Sequence, residues 1–279
     1  MLWSMVNNLT GKIVFITGAA GGIGQHLVRG FINAGCHVYA ADIDESGLAL
    51  LLEKHGSTSL NTMPLDISDS RACEETIESI PTIDILVNNA GASMGLIRDN
   101  HLDELVTIDE LSTNTWNHFI STNLSGAWYL TKAVVPQMKK NGWGRIINVT
   151  TSFFTMLRPM FHPYGPAKAG LEAMAAGHAG EFYPYGITVN VVVPGGPCDT
   201  PMVPEVNKID RELLIPPESM VAPILWLCSN EANDITGKRY IAAHWDTDDN
   251  LETARAASEE TIAWLQLANS PVWPGGKPD

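Results

Sequence analysis

Long apolar runs, paired cysteines and basic residues are all scarce in this chain of 279 residues. No apolar run approaches the about 18 residues that a membrane-spanning helix needs. The opening residues, MLWSMVNN, have neither the basic start nor the apolar middle of a secretory signal. The expectation is a soluble, unexported, cytoplasmic protein with no membrane partner. Cys36, Cys73, Cys198 and Cys228 are widely separated and form no C-x-x-C pair, which leaves little for a disulfide framework or a thiolate metal site. They read as buried small hydrophobes. No histidine spacing matches a metal site, so no metal is expected. Seventeen Lys and Arg face 31 Asp and Glu, a net charge of −14 that repels phosphate backbones. Without a basic cluster, nucleic acid is excluded as a partner.

Apolar residues make up 45% of the chain, enough for a substantial core. Strand-like runs at 12–18, 37–42, 61–67, 83–91, 144–150, 187–193 and 239–245 alternate with helix-like stretches at 22–34, 46–55, 70–80, 115–140, 164–182 and 217–229. Near-continuous β-branched and apolar strands separated by helices predict a doubly wound parallel α/β sheet, with helices on both faces. No repeat or linker interrupts residues 1–245, which read as one domain. Residues 246–279 carry seven acids against Arg255 and Lys277, or −5 of the total charge. They read as an acidic lead-in, an amphipathic helix from about Leu251 to Leu267 and a Pro/Gly tail. That extension is expected either to be a solvated appendage or to dock on a neighbouring subunit through Trp264 and Trp273.

TGAAGGIG, residues 17–24, follows the first strand and opens the first helix. Gly18, Gly22 and Gly24 let the backbone turn tightly and approach a pyrophosphate, whose charge the helix N-terminus attracts. A glycine-rich loop alone could be only a turn. Here the second strand ends in Asp42, 18 residues after Gly24, where a carboxylate can accept both adenosine ribose hydroxyls. The same carboxylate repels a 2′-phosphate, and neither Gly21 nor Ile43 offers a cation to hold one. NAD is therefore the expected cofactor. Asp66 ends the third strand, where it can meet the adenine or cap the next helix. NNAG, residues 88–91, ends the fourth strand at the mouth where open sheets bind ligands.

Tyr164 and Lys168 are four apart, on one face of a helix whose start tolerates Pro163 and Pro166. A neighbouring ammonium can lower a tyrosine from about 10 by ~1 to 3 units, making the phenolate available as a base. Such a pair alone means little, since helices carry it by chance. Here it follows a strand that ends in three hydroxyls, Thr150, Thr151 and Ser152.

With these residues in hand the chain resembles the short-chain dehydrogenase/reductase family, in its compact one-domain branch, over residues 10–245. The resemblance rests on T-G-x-x-x-G-I-G at 17–24, Asp42, Asp66, N-N-A-G at 88–91, Asn123, Y-x-x-x-K at Tyr164 and Lys168, Pro194–Gly195 and ITG at 235–237. It implies a seven-stranded Rossmann sheet, a homo-oligomer (tetramer or dimer), and hydride transfer between a nicotinamide and an alcohol or carbonyl carbon. Implied cofactor contacts come from Gly18, Gly22, Ile23, Gly24, Asp42, Ile43, Asp66, Ile67, Asn89, Gly91, Tyr164, Lys168, Pro194, Gly195 and Thr200. The implied catalytic set is Asn123, Thr151, Tyr164 and Lys168, with Asn123 holding a water that relays protons from Lys168. On residue type alone, Asn123 could instead cap or bridge. Counting thirteen back from Tyr164 selects Thr151 over Ser152, with Thr150 last.

Five departures from the family pattern stand out. Thr151 replaces the usual serine. The segment from Gly91 to Asn123 is longer by roughly ten residues, and Thr200 comes one residue late after Pro194. The lid beyond Thr200 is short, and AAHWD replaces a glycine-rich close. Met94, Ser152, Phe153, Phe154, Met160, Phe161 and Met202 are substrate-pocket candidates, alongside Met156, although core packing explains many of them equally well. Arg98, His101, Arg158 and His162 are candidate polar contacts that solvation explains better. The reading is an NAD-dependent oxidoreductase acting on a small, rather hydrophobic secondary alcohol or ketone. A 3-oxoacyl reductase for carrier- or CoA-bound groups is the alternative, and an idle NAD-binding scaffold comes last.

Overall fold

The computed structural model describes residues 9–207 and 209–265. The first apolar run forms β1 (Ile13–Thr17), buried from Val14 onward. Then follow α1 (Gly22–Asn33), β2 (His37–Asp42), α2 (Glu45–His55), β3 (Leu60–Pro64), α3 (Ser70–Glu78) and β4 (Ile85–Asn88). The second half supplies α4 (Thr113–Ile120), α5 (Gly126–Asn141), β5 (Gly144–Val149), α6 (Phe153–Leu157), α7 (Tyr164–Phe182) and β6 (Ile187–Val193). It closes with α8 (Val221–Cys228), β7 (Lys238–Ile241), α9 (Leu251–Ser258) and β8 (Glu259–Thr261).

The strands lie in the order β3-β2-β1-β4-β5-β6-β7-β8, all parallel except β8, which runs antiparallel to β7. Alternation of side chains divides β1 between two cores. Val14 and Ile16 pack with Leu27, Phe31 and Leu225 on one face, whereas Phe15 packs with Leu130, Val134 and Ala175 on the other. This is the doubly wound Rossmann arrangement, with its order reversing between β1 and β4. The crevice at that reversal, beyond the carboxyl ends of the strands, is where such sheets bind ligands.

Four expectations need correction. The sheet has eight strands rather than seven. The helix expected over 115–140 is α4 and α5 joined by a π-helical turn at Ser121–Ser125, and α8 is preceded by a 3-10 turn at Pro217–Met220. β7 stops at Ile241, and Ala242–His244 form a 3-10 turn. Finally, the C-terminal helix ends at Ser258, not Leu267, because the next residues pair with the edge of β7. Tyr240 donates to Glu259 at 2.6 Å, and Lys238 and Arg239 pair with Glu259 and Glu260 at 2.7 and 3.4 Å. Cross-strand charge pairs of this kind, with ladder hydrogen bonds, outweigh the helical pattern of the local sequence. Ile262 is fully buried beyond β8, which anchors this segment to the core although Glu260 and Thr261 face solvent. Trp264 meets Phe153 of its own chain in a tilted contact, 5.7 Å between ring centres. Leu267 and Trp273 lie outside the described residues.

Among the described residues no helix is long and apolar enough to cross a membrane. All four cysteines are buried free thiols.

Candidate active site

The end of β5 assigns a different task to each of its three hydroxyls. Thr150 is buried and donates to a carboxylate oxygen of Glu172 at 2.7 Å. Thr151, like Thr150 beyond the end of β5, interacts with the Tyr164 side chain, which favours its phenolate. Ser152 is the N-cap of α6, accepting the Thr155 N–H at 3.1 Å and sharing a 2.9 Å hydrogen bond with the Thr155 hydroxyl.

Tyr164 opens α7, with Pro163 as N-cap, and Lys168 follows one turn later on the same face. Lys168 is 3% exposed and donates to the Val149 carbonyl at 2.9 Å. Burial pushes the Tyr164 phenol up to about 12 and the Lys168 ammonium down to about 8. The sequence led us to expect a lysine-lowered tyrosine. Desolvation instead opposes charge on both groups, and it is the largest cause of each shift.

Asn123 lies in the π turn, 1% exposed, and grips the strand-end loop through both backbone groups of one residue, Ala92. Its side-chain oxygen accepts the Ala92 N–H at 2.6 Å and its amide donates to the Ala92 carbonyl at 3.1 Å. The bridging role is thus physical, whatever else Asn123 does. A Cβ on Gly91 would lie 2.9 Å from the Asn123 side-chain oxygen and 3.4 Å from Lys168 Nζ, so only glycine lets that backbone pass the catalytic face.

The glycine loop is braced from the neighbouring strand. Asn89 donates to the Thr17 and Gly18 carbonyls, both at 3.0 Å, while Gly18 sits at φ 62° with Ala90 too close for a side chain. α1 begins at Gly22 with no side-chain cap, in contrast to α2 and α3, which Asp44 and Asp69 cap. Its first N–H groups are thereby left for an anion. Asp69, not Asp66, caps α3. Asp66 accepts the Ser68 N–H at 2.9 Å. Asp42 accepts the Ala20 and Asp44 N–H groups at 2.9 and 3.0 Å, which holds its carboxylate at the tip of β2 beside the glycine loop. Ile43, 71% exposed, and Ile67 follow β2 and β3, while Pro194 and Gly195 follow β6. Thr200 reaches the loop in spite of its shifted register, since a Cβ on Gly22 would lie 2.5 Å from its methyl. An uncapped helix start, a loop closed to side chains and a carboxylate 18 residues on fit a nicotinamide dinucleotide.

The apolar candidates separate by environment. Met94 and Phe161 are buried in a small third core with Val106 and Phe119, and Phe161 meets Tyr164 edge-on at 5.9 Å. The long 92–112 segment supplies much of that core and is pinned by Arg98, which donates to the Leu105 carbonyl at 3.0 Å and pairs with Glu104 at 3.2 Å and Glu110 at 2.5 Å. His101 is 4% exposed rather than solvated, and burial lowers its pKa. Arg158 lies 5.1 Å over Phe161. Phe153 is held by Arg239 and Trp264, Met156 is buried, and Phe154, Met160 and Met202 are exposed.

Sequence reasoning missed Glu172 and Arg239. Both are buried, and they pair at 2.5 Å directly behind the catalytic strand end. The signals were present: Glu172 continues the stripe of Tyr164 and Lys168 at the next i+4 position, and Arg239 interrupts an apolar strand.

Comparison with known proteins agrees with this geometry. The chain matches the short chain dehydrogenase family over residues 12–211. It is 33% identical over 244 residues to a 3-oxoacyl-acyl-carrier-protein reductase of Vibrio harveyi, covering 83% of this chain and 95% of that one. It is 34% identical over 251 residues to a D-xylose 1-dehydrogenase of Caulobacter vibrioides, covering 85% and 97%. In fold it resembles the crystal structure of a 3-ketoacyl-(acyl-carrier-protein) reductase from Brucella melitensis complexed with NADH, at TM-score 0.70 and 24% identity over 82% of this chain and 95% of the other. The chain belongs to the short-chain dehydrogenase/reductase family and is an oxidoreductase that uses a nicotinamide dinucleotide.

Proposed function

We propose that the protein uses NAD to move hydride between the nicotinamide and a small, rather hydrophobic secondary alcohol or ketone. The observation that carries this reading is the Thr151–Tyr164 interaction at the start of the helix that buries Lys168 one turn later. In the oxidative direction Tyr164 takes the hydroxyl proton, and in the reductive direction it returns it. Thr151 offers a hydroxyl to the reacting oxygen, and Lys168 favours the charged phenolate while it remains an ammonium. When bound, the dinucleotide would supply the hydride acceptor or donor, and Gly18, Gly22, Ile23 and Gly24 would hold its phosphates and Asp42 its ribose. The carboxylate of Asp42 supports NAD over NADP, and the edge-on contact of Phe161 with Tyr164 supports an apolar substrate wall.

A second reading is reduction of a 3-oxoacyl group on a carrier, supported by the name and coverage of the Vibrio harveyi relative. Against it, Arg98 and Arg211 are engaged by Glu104, Glu110 and Asp199 rather than left for a carrier phosphate. One panel separates the two: secondary alcohols, ketones and a 3-oxoacyl thioester, each with NAD(H) and NADP(H), followed by nicotinamide absorbance. Faster turnover of alcohols and ketones with NAD(H) is expected. Preference for the thioester or for NADPH would overturn the reading.

A further inference from the structure

Behind the active site, three charged side chains each hold one group of the β5 terminus. Lys168 takes the Val149 carbonyl at 2.9 Å, Glu172 takes the Thr150 hydroxyl at 2.7 Å, and Arg239 donates to the Thr151 carbonyl at 2.7 Å. The first belongs to the catalytic pair. The other two form a buried pair, Arg239 2% and Glu172 0% exposed, that lies outside the acid/base machinery.

Arg239 is held by hydrogen bonds from its two terminal nitrogens. One nitrogen meets Glu172 at 2.5 Å, another meets Thr151, and its Nε faces Glu260 at 3.4 Å. Its guanidinium lies 4.2 Å over the Phe153 ring, which Trp264 touches in turn. Glu172 is equally engaged, since its second oxygen accepts the Ala263 N–H at 3.2 Å. Glu260, Ala263 and Trp264 all belong to the C-terminal return along β7. That segment therefore closes the cage in which Arg239 holds the peptide carrying the Thr151 hydroxyl.

A buried ion pair contributes little net stability compared with apolar packing, because desolvation offsets its attraction. What it supplies here is geometry: a planar fork that joins a carboxylate and a carbonyl leaves the Thr151 peptide one orientation. We propose that Arg239 is a positioning residue for Thr151, locked in place by Glu172 and the 259–264 segment. The C-terminal extension thereby acts on turnover from behind the site, without meeting substrate. The proposal rests on the reading of Thr151 as the hydroxyl that serves the reacting oxygen.

A double-mutant cycle tests it. Arg239→Lys keeps a cation beside Glu172 but loses the fork, and is expected to fold, to keep KM and NAD affinity within about threefold, and to lose about tenfold in kcat. Thr151→Val is expected to lose at least as much in kcat. The double variant should lose no more than Thr151→Val alone, because Arg239 acts through that hydroxyl. Additive losses, or Arg239→Lys with wild-type kcat, would overturn the positioning role and leave the proposed function standing. Thr151→Val with wild-type turnover would overturn both. Should Arg239→Lys fail to fold, Trp264→Ala takes its place in the cycle with the same non-additivity expected and the same additive result against it.

Discussion

At the scale of residues, the three hydroxyls at the end of β5 make distinct predictions because they face different partners. Thr151→Val removes the group beside Tyr164, and a hydrogen bond to an oxygen whose charge changes is worth about 1.5–3 kcal/mol, or ten- to two-hundredfold in rate. Turnover should fall on that scale with NAD affinity kept. Ser152→Ala removes a helix cap and should stay within a few-fold of wild type in turnover, at a stability cost of about 1 kcal/mol. Thr150→Val takes the donor from a buried carboxylate and should lower stability by about 1–3 kcal/mol in urea unfolding. If Ser152→Ala proved the slower enzyme, the catalytic hydroxyl would be Ser152. Asp42 carries a second prediction. Two like charges about 4 Å apart repel by up to ~4 kcal/mol at an effective dielectric near 20, approaching a thousandfold in affinity. Asp42→Ala should weaken NAD, since the ribose loses its acceptor, and narrow the gap to NADP in paired binding titrations. A wild-type chain that already prefers NADP would sink the assignment.

At the scale of elements, what was legible follows from how local the signal is. β1 and β6 announce themselves as runs rich in β-branched residues, and β5 by its Ile146–Ile147 pair and Val149, because both faces are covered, and the glycine loop because backbone must pass backbone. β8 could not be read this way. Its three residues, Glu259–Thr261, are polar, and the cause of their conformation is the edge of β7, some twenty residues earlier in the chain. The periodicity of Ile262 and Leu265 continues a helical pattern, but pairing and burial of Ile262 override it. The 92–112 segment was read only as extra length, since nothing local tells that Met94 and Val106 will join Phe161 in a core. Its consequence for His101, burial rather than solvation, was hidden for the same reason. The return along β7 has its own test. Truncation after Ser258 removes Ile262, whose burial is worth about 1.5–3 kcal/mol, and strips Glu260 and the Ala263 N–H from the Arg239 cage. The shortened chain should unfold at lower urea, lose about tenfold or more in turnover, and self-associate through the exposed edge of β7. Unchanged stability and turnover would mean that β8 is incidental.

At the scale of the whole molecule, the buried titratable groups set a stability profile that no exposed charge in this acidic chain dictates. Lys168 is lowered from 10.5 to about 8, so between those values the unfolded chain holds the extra proton and stability rises with pH. The thiols of Cys36, Cys73 and Cys198 act oppositely, raised by burial from 9.0 to about 12, and so does Tyr164, raised from 10.0 to about 12. The stability they contribute is whole below their unfolded values and is lost as pH climbs toward their folded ones. Between pH 8 and 9 Lys168 dominates, and above 9 four thiols, with Cys228 also raised by burial, are joined near 10 by the phenols of Tyr164 and Tyr240 and outweigh Lys168 and Arg145, which act in the other sense. Urea midpoints of the ligand-free protein should therefore climb to a maximum near pH 9 and then fall. In Lys168→Met the climb should vanish while the alkaline fall remains, because a methionine stays neutral in the same cavity. A climb that survives the substitution would place its origin elsewhere, and would mean that Lys168 sits in its pocket at no cost to its charge. The same burial makes the Tyr164 phenolate scarce at neutral pH. Alcohol oxidation should accordingly keep rising into the alkaline range, up to the pH at which the fold itself begins to fail.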